Sequence, residues 1–454
     1  MRETNQALKR DLTRGSVHRA IWYLAPAMML EAGIMSIAQV FDAYWIGQLG
    51  SAALAAVTIS VSIRWVVNSL ANGLGIGGMA VVARRIGARD RAAAEHAAWQ
   101  TILLGLIVSL VLAGGGLAVS RPLLALLGAN STVMALGLAH LRVSLGGMFT
   151  IILVFVINAM LRGAGEARLA MKVLILSTAT TVVLEPALVF GLGPIPSLGV
   201  AGSAWATVLG FGAGLTLQAV VLLRGRALIG IRLNDLRPDF PLMARIIGIA
   251  LPSTVQMALR SSSRLIVVGL VGLYGTFAIA GYGVANRLLL IPLTPGFGLG
   301  NAAGTLVGQN LGALRPDRAE RSAWWVSAYA AVYMFAAAVF LFAFARPLIT
   351  LFDATPEVVA IGVECTRVVA FSMIASSVGV VLARSFDGAG NTVPAMAINL
   401  ISLWGLELPA VLLLSRWLGL GATGVWWGRV VANIANGLLF VFWFRRGRWK
   451  HRDV

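Results

Sequence analysis

The chain is 454 residues long, 58% hydrophobic and only 12% charged, with a mean hydropathy of +0.85. A soluble domain carries about 25% charged residues, so a soluble fold is excluded, and the length fits about twelve membrane spans of roughly 20 residues with short loops. The net charge of +18 would suggest nucleic acid in a soluble protein, but here most Lys and Arg fall in alternate loops, as orientation by the positive-inside rule requires, and no nucleic-acid partner is expected.

The opening MRETNQALKRDLTRGSVHRA is charged with both signs and lacks a cleavage site after a short apolar core. It reads as a cytoplasmic amphipathic lead-in, not a signal peptide. The first span ends near Gly47. It carries Pro26 near its start and two carboxylates, Glu31 and Asp42. Acids at membrane depth are costly and are functional candidates by default. Eleven residues apart, about three turns, these two share a face. The second span, 53–82, ends in a basic loop with Arg84, Arg85, Arg89 and Arg91, and the third is 97–119. The fourth, 141–160, ends in LRGAGEARLAMK and carries Asn158; His140 at its start reads as interfacial. The fifth, 173–190, holds Glu185 followed by Pro186, and the uncharged GLGPIPSLGVAG after it belongs outside. The sixth is 201–223. Spans seven to twelve follow at 246–270, 278–306, 323–345, 358–384, 393–414 and 422–443, and the tail RRGRWKHRDV is basic. Both termini are then cytoplasmic. The single cysteine, Cys365, excludes an intramolecular disulfide.

The second half repeats the first. IGQLG at 46–50 matches VGLYG at 271–275, RRIGA at 84–88 matches QNLGA at 309–313, and GAGEARLAM at 163–171 matches GAGNTVPAM at 388–396, all at an offset of 225 residues. The fold expected is therefore an all-α membrane protein with twelve transmembrane helices in two six-helix lobes, a parallel internal repeat about an axis along the membrane normal. Residues 1–223 form the N-terminal lobe, the polar basic segment 224–245 a cytoplasmic linker, and 246–454 the C-terminal lobe and tail. Two such lobes would enclose a cleft, where transporters bind substrate.

FDAYWIGQLGSAALAAV, LRGAGEAR, LEPALVFG with LGVAGSAWAT, VGQNLGA and DGAGNTVPAM resemble the repeated signatures of the multidrug and toxic compound extrusion (MATE) family, in order and over nearly the whole chain. The lipid-linked oligosaccharide flippases share the superfamily fold but match these loops less well. The resemblance implies an antiporter, driven by H+ or Na+, that exports amphipathic, mostly cationic drugs by rocker-switch alternating access. It implies no other cofactor, a bacterial inner-membrane location and a monomer. Within the family the sequence looks closest to the DinF-type branch, where a first-helix aspartate and a fifth-helix acid before proline form an ion site in the N-terminal lobe. Asp42 matches the first and Glu185 the second. The family's fifth-helix asparagine falls on Thr181 and its sixth-helix threonine on Thr207. Asp42 and Glu185 would be the metal ligands if sodium is the coupling ion. In the family the proline at 26 marks a bend that changes with protonation.

From the residues alone, two facing carboxylates in low dielectric cannot both ionise cheaply, so they bind one proton or share a cation. Thr181, one turn from Glu185, can add an oxygen. Pro26 is a hinge candidate, or an ordinary first-turn proline. The substrate-cavity candidates are Glu31, Asn158, Arg260, Arg264 and Glu407. Glu31 either lines the cavity or is paired by an arginine. Arg260 and Arg264 share a face of the seventh span, where many family members carry an acid; they either pair with Glu407 or form a basic wall. GLGIGGMA in the second span resembles a phosphate loop, but it lies inside an apolar helix with no preceding strand and reads as close helix packing. An enzyme is disfavoured: there is no HExxH, no nucleophile motif and no Cys/His cluster.

Overall fold

The computed structural model describes residues 11–192, 196–230 and 237–452, without the side chains of 36–38, 40 and 65–67. Residues 1–10 of the lead-in, 193–195 of the outer loop and 231–236 of the linker lie outside that description. No strand occurs among the described residues. That suits a chain solvated by lipid, where each backbone N–H and C=O must be satisfied within its own segment.

The helices are α1 (Val17–Gly47), α2 (Ser51–Gly87), α3 (Arg91–Leu126), α4 (Ser131–Gly146), α5 (Met148–Gly163), α6 (Ala167–Phe190), α7 (Val200–Leu223), α8 (Phe240–Gly272), α9 (Thr276–Gly312), α10 (Pro316–Thr350), α11 (Pro356–Ala370), α12 (Met373–Gly388), α13 (Thr392–Trp417) and α14 (Gly421–Arg445). Nine single helices and two bent pairs are long and apolar enough to cross a membrane. With α1, whose 31 residues reach ~46 Å, they make twelve crossings. The bent pairs are α4 with α5, at 47°, and α11 with α12, at 55°. Each is the fourth crossing of its half.

The repeat is visible in the backbone as well. The only non-glycine residues with positive φ among those described are Arg89 (62°) and Leu314 (56°), each the residue immediately after the matched RRIGA and QNLGA segments. Gly165 and Gly390, in the RGAG and DGAG turns, take φ of 91° and 75°, a region glycine enters without steric cost. In α13 two π-helical stretches, Leu400–Glu407 and Leu413–Trp417, flank Pro409, which has no N–H to give an α-helical bond.

The chain divides into two compact units. An N unit comprises Leu30–Ala250, and a C unit comprises Met1–Met29 with Leu251–Val454. These divisions fall inside α1 and α8, not at the polar segment 224–245 that separates lobes 1–223 and 246–454 in the sequence reading. The reason is glycine packing at two points. In the C unit a Cβ on Gly298 of α9 would stand 2.6 Å from the Met28 backbone of α1. In the N unit a Cβ on Gly77 of α2 would stand 2.6 Å from the Ile246 carbonyl oxygen of α8. The amino-terminal parts of α1 and α8, at Met28 and Ile246, are thus each seated against a helix from the other copy of the sequence repeat. Residues 13–15, just before α1, are fixed too, because Arg315 donates to the Thr13 carbonyl at 2.8 Å and Arg318 to the Gly15 carbonyl at 2.8 Å.

Glycines in GLGIGGMA do the work of helix packing. Gly75 faces Ala159, Gly77 faces Ile246 and Gly78 faces Thr101, so three neighbours approach one helix closely.

Candidate ion and substrate sites

In the N unit, α6 and α7 pack along their length. The sequence of α7 explains it: Gly202, Ala206, Gly210 and Gly214 recur every fourth residue and form one smooth stripe. A Cβ on Gly202 would collide with the Leu188 backbone, on Gly210 with Thr181 and the Ser177 carbonyl, and on Gly214 with the Ser177 hydroxyl. This contact holds the carboxyl of Glu185, on α6, against its neighbours.

Asp42 of α1 reaches Glu185 closely enough for the two carboxyls to interact directly. No hydrogen bond of ordinary geometry joins them, and both Glu185 oxygens are buried without a hydrogen-bond partner among the described residues. The Asp42 carboxylate instead accepts a hydrogen bond from the Ser203 hydroxyl at 2.8 Å. Arg64 of α2 stands within electrostatic reach of both acids, and His140 of α4 within reach of Arg64 and Asp42.

Two expected hydroxyls go elsewhere. Thr181 donates to the Ser177 carbonyl at 2.9 Å and Thr207 to the Ser203 carbonyl at 3.1 Å, each bonding its own helix one turn back. The hydroxyl delivered to Asp42 is Ser203, one turn before Thr207. His140 is not interfacial: α4 begins at Ser131, so the ring sits well inside the span and is only 2% exposed. Arg64 was missed, although the rule that singled out Glu31 and Asp42, a charge inside an apolar run, applies equally to SIRWVV.

Glu31 and Asn158 belong to a buried network rather than an open wall. Arg162, at the end of α5, pairs with Glu31 at 2.5 Å. Asn158 donates to Glu31 at 3.5 Å and accepts from Gln218 at 2.9 Å. Glu31 is 8% exposed and Asn158 is fully buried. Pro26 lies inside α1, two turns into the helix, on the C-unit side of the division.

In the C unit the position matching Arg162 carries the opposite charge. Asp387 occupies the repeat position of Arg162, and it pairs with Arg384 at 3.1 Å and accepts from Ser253 of α8 at 3.4 Å. Glu407 does not pair with Arg260 or Arg264. Its partner is Arg429 of α14 at 3.5 Å, and Ser263 donates to its other oxygen at 2.9 Å. Arg429 also donates to the Tyr282 hydroxyl at 2.7 Å, and Tyr282 stacks on Trp426. Arg260 donates to the Asn399 side-chain oxygen at 3.2 Å. Arg264 is exposed and forms no hydrogen bond or ion pair among the described residues.

A family model described as MatE matches residues 27–187 and again 252–413, two copies whose starts are 225 residues apart. The chain belongs to the MatE family. It is a multi-pass membrane transporter, not an enzyme, and handles small molecules. It is 25% identical over 96% of its length, and 94% of the relative's, to the probable multidrug resistance protein NorM of Thermotoga maritima. It is 26% identical to a FAD transporter of Shewanella oneidensis, covering 83% of this chain and 84% of that one. Among solved structures it is similar to a MATE transporter in the bent conformation, with a TM-score of 0.90 at 26% identity over 96% of each chain.

Proposed function

We propose that this MATE-family protein is a monomeric antiporter of the bacterial inner membrane, both termini cytoplasmic, that exports amphipathic small molecules by rocker-switch alternating access. The coupling ion enters the N unit at Asp42 and Glu185. The observation that carries this reading is the meeting of those two carboxyls from different helices, with the Glu185 oxygens buried and unpartnered among the described residues. Facing carboxylates in a medium of low dielectric resist ionising together, so the pair takes up a cation. Arg64 already stands against both acids, which leaves one net negative charge among the three groups. One proton neutralises it and needs no coordination shell, so H+ is favoured over Na+. Protonation then alters what α1 packs against, and Pro26, lacking an N–H, is where α1 bends most readily.

The test is transport in proteoliposomes under separately imposed proton and sodium gradients. A proton gradient alone should drive efflux. Asp42→Asn should leave the protein folded and binding its cargo, yet cut gradient-driven efflux by about a hundredfold, roughly the contribution of an essential proton-transfer group. Unchanged efflux in Asp42→Asn removes the residue from the mechanism, and efflux driven only by sodium overturns the choice of ion.

A second reading, a flippase for lipid-linked precursors, is favoured by one observation: the arginines of the C unit outnumber its acids around Glu407 and Asp387. Flipping of a fluorescent lipid diphosphate in the same vesicles tests it.

A further inference from the structure

Four guanidiniums and two carboxylates meet inside the C unit. Arg260 stands within electrostatic reach of Arg384, Arg264, Glu407 and Asp387, and Arg264 within reach of Arg429 and Glu407. Both acids are already engaged, Asp387 by Arg384 at 3.1 Å and Glu407 by Arg429 at 3.5 Å. Arg260 and Arg264 are therefore left without a carboxylate. They lie four residues apart on α8 and point the same way. Arg260 is oriented rather than neutralised: its guanidinium donates to the Asn399 side-chain oxygen at 3.2 Å, and Asn436 donates to the same oxygen at 3.3 Å. Asn399, itself held by Asn436, orients the fork and leaves its remaining N–H groups able to donate. Arg264, one turn on, is exposed. Arginine against lipid at this depth is costly, and a wall that keeps its charge suits a guest of opposite sign.

We propose that the face of the C unit carrying Arg260 and Arg264 binds the anionic group, a carboxylate or a phosphate, of an amphipathic cargo. The inference rests on the export reading above and narrows its cargo: an anion or zwitterion docks here, held by charge-assisted bonds to planar guanidiniums, while a purely cationic drug is repelled. The anionic group can come from a free solute or from a lipid headgroup, and the chemistry of recognition is the same.

The experiment uses the full chain in proteoliposomes with carboxyfluorescein as the anionic probe and ethidium as the cationic one. Anisotropy of carboxyfluorescein on the detergent-purified protein measures binding without transport. Wild type should bind and carry carboxyfluorescein. Arg264→Gln and Arg260→Gln should each lower the anion-to-cation rate ratio about tenfold or more, the loss of one charge-assisted contact, and weaken binding to match. Arg260→Lys, which keeps the charge, should retain most of it. Arg264 forms no hydrogen bond or ion pair among the described residues, so that variant stays informative if Arg260→Gln expresses poorly. An unchanged ratio and unchanged binding in Arg264→Gln overturn the proposal. So does a wild type that carries ethidium and neither binds nor carries carboxyfluorescein or a fluorescent lipid diphosphate. If neither dye moves but carboxyfluorescein binds in an Arg264-dependent way, the anion site stands and the export reading fails. If only the lipid diphosphate moves, again dependent on Arg264, the site stands and its source is the headgroup.

Discussion

The Glu31–Arg162 pair offers the sharpest test of what holds the N unit together. Its N–O distance is 2.5 Å, and the two side chains are only 10% and 13% exposed. Unit charges ~4 Å apart at an effective dielectric of about 20 attract by about 4 kcal/mol. That matches the ~3–5 kcal/mol usually lost when one member of a buried pair is removed. Arg162→Met strands the Glu31 carboxylate beside Asn158, whose donation at 3.5 Å is too long to replace a guanidinium. Glu31→Leu should cost less, because Arg162 sits at the end of α5 and can turn to water. The double variant Glu31→Leu/Arg162→Met removes both charges and should recover most of the loss, since apolar replacement of a buried pair is commonly neutral. The assay is unfolding in mixed detergent micelles followed by tryptophan fluorescence, assembled into a double-mutant cycle. A coupling of about 2 kcal/mol or more is expected. If the two single losses simply add, within ~0.5 kcal/mol, the pair does not join α1 to α5 energetically and the reasoning is wrong.

Two other outcomes follow from geometry given above. Gly210→Ala would drive a methyl into Thr181 and bring it 2.6 Å from the Ser177 carbonyl, so it should destabilise by about 1–3 kcal/mol and lower efflux, whereas Gly212→Ala, with open space around it, should be neutral or mildly stabilising; equal thermal stability of the two in detergent would refute the close packing of α6 on α7. Outside the membrane, Asp239 accepts from the Leu242 N–H at 3.0 Å and faces His96 at 3.2 Å, and the Leu242 N–H first, then His96, hold its carboxyl below the usual range. Its stabilising effect is therefore complete above the unfolded value of about 3.9 and is lost as pH falls through the lower folded value, so the stability gap between wild type and Asp239→Ala should close as the solution is acidified below the unfolded value, and a gap that stays constant on acidification rules out the Leu242 hydrogen bond as its source.

The sequence reaches the spans and the repeat because both are written in local patterns: apolar runs of membrane length, and loop signatures that return at one spacing. It also draws the eye to Asp42 and Glu185, which the structure brings together, and to the packing role of GLGIGGMA, since a charge or a glycine cluster inside an apolar run is conspicuous by itself. It does not reach partners. Glu31 finds Arg162 more than a hundred residues away, and Glu407 finds Arg429 rather than Arg260, because helix rotation, which no local pattern encodes, decides which charge faces which. The hydroxyl at Asp42 was missed by one turn: Ser203 and Thr207 share a face, and only the depth of α7 against α1 separates them. The compact units differ from the lobes drawn on the sequence for a related reason. A polar linker is visible in sequence, whereas the seat of Met28 on Gly298 is not.

That seat has a consequence for how the protein is made. The start of α1, up to Met29, leaves the ribosome before residues 30–250, yet the unit it completes is not finished until α8–α14 emerge. Residues 30–250 are synthesised and inserted in between, on the order of 10 to 45 s at ~5–20 residues per second. Through that interval the amino-terminal end of α1 waits without its neighbours. The N unit can mature as its chain appears, whereas the C unit must recapture the early turns of α1 once its own helices α8–α14 are made, so deleting the start of α1 or the end of α14 damages the same unit.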